Sequence, residues 1–381
     1  MKVTREQANI LRLPQGTETF QLGEALRHRR RLRRLEDLYE SWGYLPAETP
    51  VFDFYDVYAP LMQSRAVGDV YRLIDREGEL LMLRSDATLF LAKQLGLILQ
   101  DEDLPVRVYY ADTILRHQDP EDISRNEFIQ TGVELIGRPD AEADAEILLL
   151  LRESLQEVGA SHAVVHLGSR KIVNELSREL EGPEREALRG AADMRDLRRI
   201  QEILAGALPE TARVAAAELL SFIGRPGELR DRLPRLQEQL DPAVITALQE
   251  LLTLVDGLSG LLPATQLRID LSEVGGQPYY TGVVFRAYIP GVDSEIASGG
   301  RYDELLGHFG FPAPSVGFSL LPGKVDASGA APGSAPGAGD AVEAGDDETR
   351  LPKAGAARGA SIRDRYEDAR ARRAAGEIVQ L

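Results

Sequence analysis

The sequence predicts an α+β protein: an antiparallel sheet flanked by helices, with an inserted helical domain. Three observations predict it. Strand-like runs at 106–114 and 126–136 precede one long amphipathic helix and a further strand at 163–167. Residues 170–262 then carry helical periodicity with little strand character. Strands return at 267–271, 279–288 and 295–297.

In order, residues 21–42 read as a helix. Leu22, Ala25, Leu26, Leu32, Leu35, Leu38, Tyr39 and Trp42 recur near helical spacing, and Gly43 ends it. Its polar face holds Arg27, His28, Arg29, Arg30, Arg31, Arg33 and Arg34. That face reads as solvated and as a source of partners for an acidic neighbour, in preference to a nucleic-acid patch. Residues 44–58 read as extended, punctuated by Pro46 and Pro50. Residues 71–83 read as a hairpin turning at 76–79. A short helix follows at 88–99, a polar loop at 116–125 and the amphipathic helix at 141–158.

The segment 170–262 is rich in Leu, Ala, Glu and Arg, with breaks near Pro183, Gly206, Pro209, Gly224 and Pro242. It reads as an insert dividing a core of 1–169 and 263–325. Gly299-Gly300 is expected to turn into a helix near Tyr302. Residues 326–381 form an expected flexible tail. Its first part, to Glu348, is rich in Gly, Ala, Pro and Asp and lacks the apolar surface that offsets ordering entropy. Residues 361–381 are charged and suit a short terminal helix.

The chain has 381 residues, enough for two or three domains. It carries 61 acidic and 44 basic side chains, net −17, which argues against a general nucleic-acid binder. The lack of cysteine excludes disulfides, a thiol nucleophile and cysteine–zinc sites. No run approaches the ~20 apolar residues of a membrane span, and the N-terminus lacks the apolar core of a secretion signal. A soluble cytoplasmic protein is the expectation.

Candidate chemistry concentrates in about fifty residues, where polar groups interrupt apolar strand patterns and burial demands a partner for each. Asp86, Thr88, Arg116, Gln130 and Glu134 suit a small ligand carrying both an ammonium and a carboxylate. Arg116 closes an apolar strand opposite two acids and calls for an anion or a partner. Asp86 and Glu134 read either as surface acids capping local structure or as buried site groups, and their apolar neighbours favour burial. Tyr279-Tyr280 alone reads as a half-buried strand pair. His117, His162 and His166 fall in different elements with no shared ligand spacing, so no metal site is expected.

The ordered motifs Arg84-x-Asp86-x-Thr88, Arg116-His117, Phe128-x-Gln130-x-Gly132-Val133-Glu134, Tyr279-Tyr280-Thr281, Gly299-Gly300-Arg301-Tyr302-Asp303 and Val316-Gly317-Phe318 resemble histidyl-tRNA synthetase over residues 10–325. The resemblance implies a class II aminoacyl-tRNA synthetase fold with a six-stranded antiparallel sheet. It also implies self-dimerisation through residues 22–42 and the segment after Pro50. Family residues that bind histidine fall on Asp86, Thr88, Arg116, Gln130, Glu134, Tyr279 and Tyr280.

Departures from that family bear on activity. Gln118 stands where an adenine-recognising glutamate is expected, and Asp119 where a basic residue is usual. Gly275-Gly276-Gln277-Pro278 replaces a segment bearing a catalytic arginine. Leu321-Pro322-Gly323-Lys324 replaces a helix start whose arginine meets the γ-phosphate; lysine loses the planar fork, and Pro-Gly is expected to discourage the helix. The sixty residues after Leu321 are expected to be too few for the family's anticodon-binding domain.

This combination is similar to the ATP phosphoribosyltransferase regulatory subunits of histidine biosynthesis, which the segment 279–285 also resembles. That resemblance implies a subunit with no catalysis and no cofactor of its own. Its partner would be a short-form catalytic phosphoribosyltransferase in a larger hetero-oligomer, and its ligand L-histidine, with tRNA binding and membrane association not expected. The second reading is a divergent or truncated histidyl-tRNA synthetase, and the third a paralogue acting on another substrate.

Overall fold

The computed structural model describes residues 13–14, 16–17, 19–62, 68–117, 125–263, 265–274, 276–327 and 361–381. Its strands are β1 (Leu45–Pro46), β2 (Phe52–Phe54), β3 (Arg72–Ile74), β4 (Leu80–Leu83), β5 (Val106–Leu115), β6 (Glu127–Ile136), β7 (Val164–Ser169), β8 (Ile223–Gly224), β9 (Leu267–Asp270), β10 (Val283–Tyr288), β11 (Ala297–Arg301) and β12 (Ser315–Leu320). Its helices are α1 (Leu22–Ser41), α2 (Tyr55–Tyr58), α3 (Ala87–Ile98), α4 (Ala141–Glu157), α5 (Arg170–Leu176), α6 (Gly182–Asp193), α7 (Leu197–Ile203), α8 (Glu210–Leu220), α9 (Pro226–Gln239), α10 (Pro242–Gly257), α11 (Pro322–Ala327) and α12 (Ile362–Ala374).

Among the described residues a nine-stranded sheet runs β1-β5-β6-β12-β11-β10-β7-β9-β8. Its middle six strands, β5 to β7 in that order, pair antiparallel throughout. Parallel β1 and β9 extend them at either side. The long hairpin of β5 and β6 sets the register, from Val106 opposite Ile136 to Leu115 opposite Glu127. Alternation sends Val133 and Leu135 to one face, where they pack with Tyr39, Leu148, Leu151 and Phe318 of α1, α4 and β12. On the other face Phe90 of α3 packs with Tyr110, Ile114 and Tyr302.

Helix starts follow capping chemistry. Asp140 accepts from the Ala143 amide at 3.1 Å to open α4, and Asp86 accepts from the Leu89 amide at 3.2 Å to open α3. The Arg107 guanidinium of β5 meets Glu146 of α4 at 2.8 Å, with both side chains buried, and Tyr44 donates to the same carboxylate at 2.9 Å. Among the described residues between β7 and β9, helices α5 to α10 are joined by turns and β8 is the one strand. Leu188, Ile200, Leu219 and Leu248 of this insert join the same apolar cluster as α4. The insert therefore shares its core with the sheet.

Several expectations are corrected. Residues 55–58 are the helical turn α2, and the strand expected from Tyr279 begins at Val283. Gly299-Gly300 lies inside β11, paired with Phe285 and Val284, and the following turn is a short 3-10 segment at Leu306–Phe309. Leu22 and Leu26 of α1 face solvent, whereas Arg31 is buried and donates to the Pro322 carbonyl at 3.3 Å. Pro322-Gly323 opens α11 rather than preventing it, since the first turn of a helix has no intrahelical use for the amide that proline lacks.

The expected flexible tail is corrected at its end. Residues 328–360 lie outside the described residues, but 361–381 pack against the core. Tyr366 is buried and donates to Glu153 of α4 at 2.7 Å. Arg365 pairs with Glu142 at 2.8 Å, and the Val379 amide donates to the Ser41 carbonyl at 3.0 Å.

Candidate functional site

One row of the sheet sets the floor of the site. Val108, Glu134, Gly317, Gly300 and Val284 stand side by side on β5, β6, β12, β11 and β10. Side chains at the two glycine positions would fill the space above that row. A Cβ on Gly317 would collide with Glu134 Oε2 and the Val133 carbonyl, and one on Gly300 would meet the Val283 carbonyl at 2.6 Å and the Tyr280 ring at 3.0 Å. Above the glycines opens a cleft of about 1140 Å³, bounded by the start of α3, the ends of β5 and β6, the turn before β10, and α1 and α11.

Glu134 is the most enclosed polar group of the cleft, 2 % exposed. Thr88 donates to its Oε1 at 2.8 Å and Tyr302 to its Oε2 at 2.5 Å. Burial pushes the Glu134 carboxyl up to about 8; the bonds from Tyr302 and Thr88 oppose that rise and the nearby Asp86 charge adds to it. Asp86, buried at the cap of α3, accepts from the Tyr279 hydroxyl at 3.2 Å. The Tyr279 ring stands edge-on to Tyr280 and Tyr302, with centroids 5.3 and 5.7 Å away. Burial, then the Asp86 charge, raises the pKa of both Tyr279 and Tyr280.

Gln130 Oε1 is buried without a hydrogen-bond partner among the described residues, and its side chain lines the cleft. Such an acceptor is costly to bury unless a ligand or water completes it. Arg116 also lines the cleft, but it donates through Nε and Nη2 to the Ser85 carbonyl, at 3.3 and 2.8 Å, rather than facing either acid in an ion pair. Its guanidinium lies 5.9 Å from the Phe128 ring centroid. At the far wall Arg286 pairs with Glu273 at 3.1 Å. Lys324 donates to Ser294 Oγ at 2.6 Å and to the Glu295 carbonyl at 3.2 Å.

Thus Asp86, Thr88, Arg116, Gln130, Glu134, Tyr279 and Tyr280 all line one cleft. Two motif arginines serve structure instead. Arg84 pairs with Asp112 at 2.9 Å, and Arg301 with Asp144 at 2.7 Å. Tyr302 is the site residue the sequence reading passed over. Its signal was an aromatic directly after Gly-Gly-Arg, which returns to the glycine-cleared floor. Gln118, Asp119 and Gly275 lie outside the described residues. Among the described residues no group of three or more His, Asp or Glu is placed to hold a metal, and no helix is long and apolar enough to cross a membrane.

A six-stranded antiparallel centre carrying a polar cleft on one face defines a class II aminoacyl-tRNA synthetase-like protein. The histidyl-tRNA synthetase family matches residues 16–325. An ATP phosphoribosyltransferase regulatory subunit of Moorella thermoacetica is 34% identical over 317 residues, covering 81% of this chain and 80% of that protein. A histidine–tRNA ligase of Pyrobaculum arsenaticum is 31% identical over 306 residues, covering 76% of this chain and 69% of that protein. The crystal structure of an ATP phosphoribosyltransferase regulatory subunit/histidyl-tRNA synthetase from Bacillus halodurans superimposes with a TM-score of 0.74 at 25% identity, covering 98% of this chain and 92% of that one. The chain belongs to the histidyl-tRNA synthetase-like family that includes the ATP phosphoribosyltransferase regulatory subunits.

Proposed function

We propose that this chain is a non-catalytic regulatory and activating subunit of ATP phosphoribosyltransferase, the first step of histidine biosynthesis, and that its cleft binds L-histidine. The observation that carries the ligand is the convergence of Asp86, Gln130, Glu134 and Arg116 on one cleft walled by Tyr279 and Tyr280. Acids and an amide oxygen suit the ammonium and imidazole N–H groups, a guanidinium suits the carboxylate, and tyrosine rings suit the flat imidazole. The far wall supports the non-catalytic half of the reading. Its arginine is already paired, Arg286 with Glu273, and adenylation needs positioned cations for the triphosphate.

On this reading the partner is a short-form catalytic phosphoribosyltransferase. Histidine acts by linkage, favouring one state of the complex by a coupling of about 1–3 kcal/mol. A second copy of the chain is the other partner. The face of the small sheet that carries Phe52, Phe54 and Leu73 leaves all three exposed, next to the segment expected to dimerise.

The deciding experiment is co-expression with a short-form catalytic subunit, followed by sizing and a phosphoribosyl-transfer assay with and without histidine. Co-elution, activation and histidine inhibition are expected. The relationship to a histidine–tRNA ligase keeps a second reading in view, that of a divergent synthetase. Pyrophosphate exchange dependent on histidine and ATP by the pure chain would establish that second reading and overturn the first.

A further inference from the structure

Arg170 is the first residue of α5, where the chain leaves β7 to enter the helical insert. It is 2 % exposed, and a guanidinium at that depth needs acceptors for its N–H groups. Two of its donors reach the two ends of one turn. The backbone amide donates to the Gly282 carbonyl at 2.8 Å, and Nη1 of the side chain donates to the Val274 carbonyl. Between those carbonyls lie Tyr279 and Tyr280, the aromatic wall of the cleft.

The two ends are held differently. Downstream, the Thr281 and Gly282 amides also donate to the Arg301 carbonyl, at 2.8 and 3.3 Å, and Val283 pairs with Ser169 in the sheet. Upstream, the chain leaves β9 pressed against the end of β7, where a Cβ on Gly168 would collide with the Asp270 and Glu273 carbonyls. Glu273 pairs with Arg286, and the buried Val274 that follows is tied through the Arg170 side chain. Helix α5 is itself fixed by the insert. Ile172, Val173 and Leu176 are buried in one apolar cluster with Leu248 and Leu251 of α10, and Lys171 pairs with Glu250 at 2.8 Å. The chain of contacts therefore runs from the insert through Arg170 to the turn, and Tyr279 closes it onto Asp86 at 3.2 Å.

We propose that Arg170 is a positioning residue of the cleft: it fixes the turn that carries Tyr279 and Tyr280, so that the insert sets where the tyrosine wall stands relative to Asp86. Arg170 is not among the residues that line the cleft, so it acts through the two tyrosines. Its effect on affinity rests on the reading of the cleft as a histidine site. The placement of the tyrosines does not, because it belongs to the empty protein.

The test is fluorine NMR of the full chain labelled with 3-fluorotyrosine, with Tyr279, Tyr280 and Tyr366 assigned from single Phe variants, followed by calorimetric titration with L-histidine. Arg170→Met should shift the Tyr279 and Tyr280 resonances and leave Tyr366, on α12, in place. Its histidine Kd should rise roughly tenfold or more, as for the loss of a hydrogen bond from a charged group. Arg170→Lys keeps the cation without the planar fork, so it should shift the same two resonances by less and restore part of the affinity. Unmoved Tyr279 and Tyr280 resonances overturn the proposal, and so does a shift shared by Tyr366, which marks a general loosening of the fold. Where Arg170→Met does not fold, Arg170→Lys decides on the same criterion. Shifted resonances with an unchanged Kd overturn the link to the ligand. A wild type that binds no histidine overturns the histidine reading, and the positioning role then stands or falls by the resonances.

Discussion

The guanidinium of Arg373 lies 3.6 Å from the centroid of the Trp42 ring, so the last helix of the chain closes over the end of the first. Trp42 is fully buried there, and its indole N–H donates to Glu153 at 3.0 Å, the residue that also accepts from Tyr366. As Trp42 is the chain's single tryptophan, its emission reports whether α12 is docked. Tyr366→Ala should cost about 3–5 kcal/mol and shift Trp42 emission to the red. Urea denaturation followed by fluorescence checks both, and an unchanged midpoint would show that α12 adds nothing.

The buried pair of Arg107 and Glu146 should be strongly asymmetric to mutation. Arg107→Ala removes the bidentate partner of the buried Glu146 and leaves the Tyr44 hydroxyl as its side-chain donor, and is expected to cost about 3–5 kcal/mol. An Arg107→Met, Glu146→Leu double variant should recover most of that loss. Denaturation midpoints of the two proteins make the comparison, and equal losses would contradict it.

Gly317→Ala places a methyl group on the Glu134 carboxylate. Histidine affinity should fall by roughly a hundredfold or more, about 3 kcal/mol, since Glu134 must leave the position set by Thr88 and Tyr302. Calorimetry on the purified variant measures it, and binding within twofold of wild type would refute the role of this row.

Burial of Glu134 makes the empty protein sensitive to alkali. Its folded pKa, about 8, lies above the unfolded value of about 4.3. Between these values the folded state binds more protons than the unfolded, so this group lowers stability as pH rises and its effect is complete above pH 8. Glu134→Gln should therefore flatten the stability–pH curve from about pH 5 to 8. Thermal melts across that range test the sign.

Self-association through the small sheet predicts that Phe54→Glu yields a monomer, because a charge would then enter a face whose cross-strand neighbours are Leu81 and Leu73. Sedimentation equilibrium compares it with wild type. A wild-type monomer would remove the proposal.

The residues lining the candidate cleft were legible where they sit in strands and at a helix start, because those patterns are local. Asp86 opens an apolar helix, and Gln130 and Glu134 interrupt an alternating strand two turns of the pleat apart. Tyr302 was not legible as a site residue, since its role depends on β11 lying two strands from β6 with glycines along the row. The extended reading of 55–58 failed because Tyr55 and Val57 have strand propensity, yet tertiary packing sets Tyr58 flat on Phe90, with centroids 4.6 Å apart. The exposed Leu22 and Leu26 show the same limit: helical periodicity reports where apolar side chains recur and not whether a partner covers them.

By itself the sequence determined the order of helices and strands around an insert, and the polar residues that would need partners if buried. Periodicity and polarity are properties of neighbouring residues, so a sequence contains them. Only the tertiary structure decided that Arg116 turns to the Ser85 carbonyl, that Arg84 and Arg301 hold the frame, that Tyr302 holds Glu134, and that residues 361–381 close over Trp42. Each depends on which distant segments become neighbours, and burial among them, rather than residue type, sets whether a charge is paired, neutral or left for a ligand.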